Sequence, residues 1–275
     1  MLLREVEYAR PGSVDEAIAL LAANDGARAL AGGQTLINVM KARAASPDVL
    51  VDLHNLEELR GVREIGNGGV EIGPMTTYAQ LIADEAAGAR SILGEVASQI
   101  ADVQVRNRGT IGGNVCSNDP TNHFPPLLVV MNAQFTIRSG SGERTVSADE
   151  FFLGVYLTAA GPGELLTKIT IPAGGQDGFA AVTIGRDGTG IVTAAASLNG
   201  GARVAIGCVG ATPVRATQME QRIGHDFSDE NVDSAAQGLG ATLDPPGDVH
   251  ASADYRRRLA EVLAVRAVLQ AKARK

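Results

Sequence analysis

Arg106-Asn107-Arg108-Gly109-Thr110-Ile111-Gly112-Gly113-Asn114 is the stretch on which the fold turns. Glycines at 109, 112 and 113 leave a bare backbone edge. A flat ring or a polyol chain can lie against such an edge. Thr110, Asn114 and, a little further on, Asp119 offer hydrogen bonds. A purely structural turn explains the glycines, but less readily the polar residues around them. Thr110 to Val115 reads as a short strand among glycine-rich turns.

Upstream lies a second glycine loop, Ala31-Gly32-Gly33-Gln34-Thr35. It follows a short apolar run, Ala27 to Leu30, read as a strand. Leu36 to Lys41 begins a helix. Consecutive glycines let backbone N–H groups turn toward an anion, the helix start adds partial positive charge, and Thr35 adds a hydroxyl. A diphosphate suits such a site. The loop is neither a G-x-G-x-x-G fingerprint nor a Walker A loop, since no lysine follows. Alone, it reads equally well as a structural strand–turn–helix connection.

Around these loops the chain alternates helix and strand. Ser13-Val14-Asp15-Glu16 has the form of a capping box, and Val14, Ala17, Ile18 and Leu21 then share one helical face. Val49 to Val51 is a strand. From about residue 55 the pattern changes to short strands at 70–72, 135–138 and 165–171, with helices opening at Thr77 and spanning Ile92 to Ile100. Ser139-Gly140-Ser141-Gly142 signals a hairpin. Pro172 to Gly178 is the best boundary, giving domains at 1–172 (subdomains about 1–54 and 55–172) and 173–275. Beyond it, Phe179 to Ile184, Ile191 to Leu198 and Arg203 to Val209 read as a three-stranded antiparallel meander, turned at Asn199-Gly200-Gly201. Gly185 to Gly190 lies between two of these strands and reads as a hairpin, not a nucleotide loop. Helices follow at 213–223, 230–239 and 253–273, the last with Tyr255, Leu259, Val262, Leu263, Arg266 and Leu269 as its apolar stripe.

Composition narrows the function classes. The chain has 275 residues, which at roughly 100–200 per domain suggests two domains. A formal net charge of −7 argues against a nucleic-acid surface. The one basic cluster, Arg256 to Lys275, reads as a solvated helix face. No apolar run reaches the roughly 18 residues of a membrane span, and Met1-Leu2-Leu3-Arg4-Glu5 is no signal peptide, so a cytoplasmic home is expected. Cys116 and Cys208 are the only cysteines, too few to hold an iron–sulfur cluster. No residue set has metal-ligand spacing, and no nucleophile–base pair is recognisable, so no catalytic residue or metal site is expected.

Taken together, Ala-Gly-Gly-Gln-Thr at 31–35, Gln104 to Asn114 and Asp119-Pro120 resemble the FAD-binding medium subunit of the xanthine dehydrogenase/carbon monoxide dehydrogenase (molybdenum hydroxylase) family. The likeness spans almost the whole chain. It includes Ser46 to Leu53, Glu150 to Gly154, Glu164 to Leu166, Ile171-Pro172, Ala211 to Ala216 and Ser252 to Arg257.

The resemblance implies an α+β chain: a vanillyl-alcohol-oxidase-like FAD domain in two subdomains, then a smaller α+β C-terminal domain. It implies partners as well, an iron–sulfur small subunit with two [2Fe-2S] clusters and a molybdopterin-binding large subunit that hydroxylates substrate, doubled into a dimer of heterotrimers. Electrons would pass from the clusters to FAD and on to an external acceptor. Position by position, Ala31, Gly32, Gly33, Gln34 and Thr35 would hold the diphosphate of a non-covalent FAD. Thr110, Ile111, Gly112, Gly113 and Asn114 would run along the flavin and its ribityl chain. Leu166 would contact the ring, with Ile100 near it, and Asp119 and His123 would offer hydrogen bonds.

Two positions depart from the family pattern. Many members have Asp-Pro-x-x-Asp where this chain ends in His123, which either replaces the carboxylate as a partner for FAD or simply packs. Many also open the C-terminal domain with a lysine-bearing aromatic segment, whereas here Phe179 is followed by Ala180. Cys116 reads as a small buried residue or as a thiol near the flavin. A stand-alone FAD-dependent oxidase and a flavin-free docking scaffold are the competing functions. Against the first, the residues after Pro172 are few for a substrate domain; against the second, both glycine loops are intact. The substrate stays open among carbon monoxide, an aldehyde, a purine and an N-heteroaromatic.

Overall fold

The computed structural model describes residues 3–66, 68–185 and 188–274. Its first unit is a parallel sheet ordered β1-β3-β2, built from β1 (Glu7–Ala9), β2 (Ala27–Leu30) and β3 (Val49–Asp52). Helix α1 (Val14–Ala23) buries the expected face of Val14, Ala17, Ile18 and Leu21 in the same apolar cluster as Val51. Ser13 caps it, accepting the Glu16 N–H at 3.2 Å, but Glu16 reaches one residue further back than a capping box requires, to the Gly12 N–H. The short α2 (Leu36–Lys41) follows β2.

The second unit is a five-stranded antiparallel sheet. It contains β4 (Val62–Ile65), β5 (Gly69–Ile72), β6 (Gln134–Ser139), β7 (Gly142–Ser147) and β10 (Leu165–Ile171) in the order β4-β5-β10-β6-β7. The hairpin at 139–142 forms as expected, with Ser139 opposite Gly142. Helices α3 (Tyr78–Ala83), α4 (Ile92–Ser98), α5 (Val103–Arg108), α6 (Ile111–Ser117), α7 (Phe124–Val130) and α8 (Ala148–Phe151) accompany it. A small hairpin of β8 (Phe152–Gly154) and β9 (Leu157–Thr158) leads into β10. The core centres on Phe124, Phe135 and Phe151, all fully buried.

Here the expected strand at Thr110–Val115 is corrected to helix α6. Thr110 decides this locally: its hydroxyl accepts the Gly113 N–H at 3.0 Å, which satisfies one of the open donors of a helix start. Arg106 to Arg108 are likewise no loop but the end of α5, whose start Asp102 caps through the Val105 N–H (2.8 Å). Helix α7 was hidden by Pro125 and Pro126, which sit in its first turn, where a missing N–H costs no helix bond.

The third unit is antiparallel: β11 (Gln176–Ile184), β12 (Thr189–Leu198), β13 (Ala202–Gly207) and β14 (Val214–Arg215), paired in that order. The expected sheet of three strands therefore has four. Residues 214–215 fall within the helix expected at 213–223, but Arg215 is forked onto Glu220 (2.7 and 2.8 Å) while Glu220 accepts the Val204 N–H (2.7 Å). That clip holds the segment on the sheet edge, and α9 (Thr217–Ile223) starts later. The Gly185–Gly190 reading is a hairpin as expected, with Ile184 opposite Thr189; its Arg186 and Asp187 lie outside the described residues. So do Met1, Leu2 and Lys275, on which the readings of the N-terminus and the basic cluster partly rest.

Helix α10 (Asp229–Ala236) and the long α11 (Ala253–Ala273) complete this unit. The face of α11 differs from the expected stripe. Ala260, Leu263, Ala264, Ala267, Val268 and Ala271 are buried, while Tyr255 is 49% exposed. Close approach accounts for the alanines: a Cβ on Gly178 would lie 2.0 Å from the Ala267 carbonyl oxygen, so the helix touches the sheet there without room for a larger side chain. Nor is the helix's basic cluster simply solvated. Arg256 is buried against Asp248 (2.6 Å) and the Cys208 carbonyl, and Lys272 and Arg274 pair with Asp229 and Glu95. Among the described residues, no helix is long and apolar enough to cross a membrane.

Candidate functional site

The two glycine loops, far apart in sequence, meet in space. A Cβ on Gly32 would lie 2.1 Å from the Arg108 carbonyl oxygen and 2.8 Å from the Gly109 Cα. Only a residue without a side chain permits that approach. Ala31 faces the second loop as well, 3.6 Å from where a Cβ on Gly113 would stand.

The first loop leaves β2 at the carboxyl end of the parallel sheet. Gly33 turns it with a left-handed φ of +73°. The Gln34 side chain folds back to donate to the Gly32 carbonyl at 3.1 Å, so its amide braces the loop. Among the described residues, the N–H groups of Gly32, Gly33, Gln34 and Thr35 find no protein acceptor, and the Thr35 side chain makes no cap bond. A run of free amides on a partly exposed loop is able to take an anion. With α2 only six residues long, the amides rather than a helix dipole carry that property.

The second loop offers fewer free donors. The N–H groups of Ile111 and Gly112 donate to the Thr76 and Pro74 carbonyls (3.0 and 2.8 Å). The Ile111 side chain is wholly in the core, and Gly112 packs so closely on Pro74 that a Cβ would lie 2.4 Å away. Thr110 spends its hydroxyl on the Gly113 N–H.

What remains open there is an acceptor. Asn114 is buried and its Oδ1 has no partner. Beside it, desolvation pushes the buried Tyr78 hydroxyl up to about 12. Tyr78 follows directly on Thr77, whose capping box with Gln80 forms as read.

Downstream, Asp119 is committed within the chain, accepting the Thr121 N–H and hydroxyl (2.9 and 2.8 Å) and the Tyr156 hydroxyl (3.0 Å). Asn122 donates to the Asn114 carbonyl at 2.9 Å, tying this loop to α6. His123 is buried, its ring 5.5 Å from that of Phe179, and its Nε2 has no partner. Burial lowers its pKa to about 4, against a backbone hydrogen bond to Thr121. The imidazole is therefore neutral at pH 7. A neutral imidazole has one bare nitrogen, so Nε2 can accept a hydrogen bond when the proton sits on Nδ1.

Ile100 follows α4, half-buried beside the 110s core, and its carbonyl is fixed by Arg106 (3.0 Å). Leu166 is 3% exposed in that same core, next to a β-bulge between Leu166 and Lys168. Cys116 is partly exposed as a whole residue, yet its thiol is desolvated and its pKa raised to about 12, which suits the inert buried reading. Among the described residues no cluster of His, Cys, Asp or Glu could hold a metal ion.

The structure thus brings the two glycine loops together and leaves free amides on the first and an unpaired acceptor, Asn114 Oδ1, just after the second. Comparison with known proteins agrees. Residues 4–174 match the family model "FAD binding domain in molybdopterin dehydrogenase", and residues 179–271 match "CO dehydrogenase flavoprotein C-terminal domain". The carbon monoxide dehydrogenase medium chain of Hydrogenophaga pseudoflava is 38% identical, over 100% of this chain and 99% of its own. A chain of the reconstituted CO dehydrogenase from Oligotropha carboxidovorans superposes with a TM-score of 0.94 at 35% identity, with both chains fully covered. A chain of quinoline 2-oxidoreductase from Pseudomonas putida 86 does so with a TM-score of 0.93 at 32% identity, covering 98% of each.

Proposed function

From the premise that this chain belongs to the FAD-binding medium subunits of carbon monoxide dehydrogenase and xanthine dehydrogenase-type molybdenum hydroxylases, we propose that it takes electrons from the [2Fe-2S] clusters of a partner subunit and delivers them to an external acceptor. The contact of Gly32 with Arg108 and Gly109 carries the reading, because it brings the loop of free amides against the second glycine loop, from which α6 and its unpaired Asn114 Oδ1 follow. FAD bound there would supply the redox chemistry that no side chain of this protein offers.

The protein's part is to bind and orient. The free amides of Gly32 to Thr35 and the Thr35 hydroxyl would hold the diphosphate. Asn114 Oδ1 and His123 Nε2 would accept hydrogen bonds from the hydroxyl and N–H groups of the flavin half. On this reading His123 keeps the acceptor role of the family's aspartate while dropping its charge. Ile111, Gly112 and Thr110 would act by shaping the backbone, and Ile100 and Leu166 by apolar contact. Asp119 would act through Tyr156 and Thr121.

The wider assignment follows the same reading. The FAD domain would be a vanillyl-alcohol-oxidase-like fold at 1–172, followed by a C-terminal domain at 173–275. The partners would be an iron–sulfur small subunit and a molybdopterin-binding large subunit, in a cytoplasmic dimer of heterotrimers. The substrate would be carbon monoxide, an aldehyde or an N-heteroaromatic, chosen in the large subunit and not in this chain. Acid precipitation of the purified chain tests the cofactor. Free FAD in the supernatant is the expected result; FMN there, or flavin retained in the pellet, would count against it. Native mass spectrometry from the source cell tests the partners and should show three chain types.

A further inference from the structure

We infer that Asn122 is a positioning residue for the cofactor: its side-chain amide ties the turn that leads into His123 to α6, and so holds His123 and Asn114 in one fixed relation for the flavin half of FAD. The inference rests on the FAD reading above and adds a residue to it.

The tie exists because of how α6 ends. A helix leaves its last carbonyls without an intrahelical partner. Here the Asn118 N–H turns to the Val115 carbonyl (3.2 Å), with Asn118 itself in the left-handed region at φ +39°, and the Asn114 carbonyl is left for side chains. The Ser117 hydroxyl donates to it at 2.9 Å, and Asn122 Nδ2 donates to it at 2.9 Å. Asn122 Nδ2 also donates to Ser117 Oγ at 3.2 Å. A carbonyl oxygen can only accept, so the amide nitrogen of Asn122, and not its oxygen, faces α6.

The other end of the tie is equally fixed. The Asn122 N–H donates to the Asp119 carbonyl at 2.9 Å, and the Asp119 carboxylate takes the Thr121 N–H and hydroxyl. Residues 119–122 are thus a turn closed on itself. Among the described residues, the two bonds from the Asn122 side chain are its only hydrogen bonds to the body of α6. His123 follows at once, at the start of α7, with its ring against Phe179. Asn114 Oδ1 and His123 Nε2, on either side of the tie, are both buried without a partner. Leaving a buried polar atom unpaired is costly unless a ligand completes it. Two such atoms serve one ligand only if their relative placement is held, and hydrogen bonds one layer further out are what hold it. Asn122 supplies that layer.

The test titrates FAD into the full-length chain, stripped of flavin, and reads flavin fluorescence. Asn122→Ala removes the tie and leaves both acceptors in place. We expect its FAD dissociation constant to rise about 3- to 10-fold, the worth of one hydrogen bond. In a His123→Leu background the same change should cost clearly less, because Asn122 then has one acceptor fewer to place. At saturating FAD, the visible circular dichroism of the bound flavin should differ between Asn122→Ala and the wild type. A merely structural Asn122 would lower the melting temperature of the flavin-free chain and leave affinity and dichroism unchanged; that result overturns the inference. Equal losses of affinity in the two backgrounds overturn it too. Should Asn122→Ala not fold, Asn122→Asp, which keeps the shape but has no N–H to donate, is read by the same comparisons. Failure of the wild-type chain to bind FAD at all would instead remove the underlying functional reading.

Discussion

Arg90 and Asp177 form an ion pair closed to solvent on both sides. Arg90 Nε donates to Asp177 Oδ2 at 2.9 Å, a second guanidinium nitrogen lies 2.7 Å from the same oxygen, and each side chain is 4% exposed. Arg90 also donates to the Pro172 carbonyl (2.6 Å), so one guanidinium ties the segment before α4 to both ends of the β10–β11 connection. Desolvation outweighs the attraction of Arg90 and holds the Asp177 carboxyl above the usual carboxylate range. The pair therefore fixes geometry more than it adds net stability.

Removing one partner should be worse than removing both. Arg90→Met strands a buried carboxylate and should cost about 3–5 kcal/mol. Adding Asp177→Leu should recover most of that loss. Urea unfolding of the single and double variants checks this, and a double variant no more stable than Arg90→Met would refute it.

Gly32→Ala tests the joint between the loops. The new methyl would stand 2.1 Å from a backbone oxygen, which cannot swing aside as a side chain can. One loop must move, and the cradle opens. We expect a loss of roughly 1–3 kcal/mol in stability and FAD content well below wild type in the purified protein. Gly113→Ala is the control. Its nearest neighbours are the Thr110 hydroxyl at 3.0 Å and the Ala31 Cβ at 3.6 Å, contacts that can relax, so it should keep more of its flavin. Equal flavin content in the two variants would separate the loop contact from cofactor binding.

Thr110→Val separates capping from cofactor contact. The hydroxyl accepts the Gly113 N–H at the start of α6. Its removal should cost about 1 kcal/mol of stability and lower the melting temperature with or without FAD. Affinity for FAD should fall only slightly. Unchanged stability together with a large loss of affinity would assign the hydroxyl to the ligand instead.

These sites show which parts of the molecule were legible in the sequence. Apolar spacing marked α1 and the length of α11, and the Ser139–Gly142 and Asn199–Gly201 turns marked their hairpins, because each signal is local. The two glycine loops could be picked out by composition, but their contact could not, since Gly32 meets Arg108 only through the tertiary fold. Glycine density also misled. It suggested strand at 110–115, where a single threonine hydroxyl starts a helix. In the stripe of α11, Leu263 lies in the core as expected and Leu259 and Leu269 pack against it, but the alanines at 260, 264, 267 and 271 were passed over, although Gly178 brings the sheet close enough at Ala267 to favour them.

His123 makes the stability of this chain sensitive to acid. Its ordinary pKa of 6.5 is lowered by burial to about 4 in the folded protein. The unfolded chain therefore binds the proton more readily than the folded one between those two values. The contribution is fully present above about pH 6.5 and is lost as pH falls toward 4. The gap corresponds to roughly 3 kcal/mol. Replacing the group by His123→Gln removes the titration but keeps a side-chain acceptor. Across pH 6.5 to 4, the unfolding free energy of the wild type should fall more steeply than that of the variant, the two curves converging in slope above pH 7. FAD affinity should follow the same course, because protonation turns Nε2 from acceptor into donor and puts a charge into a buried site. Parallel stability curves through the window would show that His123 titrates alike in the folded and unfolded chain. A wild-type FAD affinity independent of pH over the same range would place Nε2 away from the cofactor.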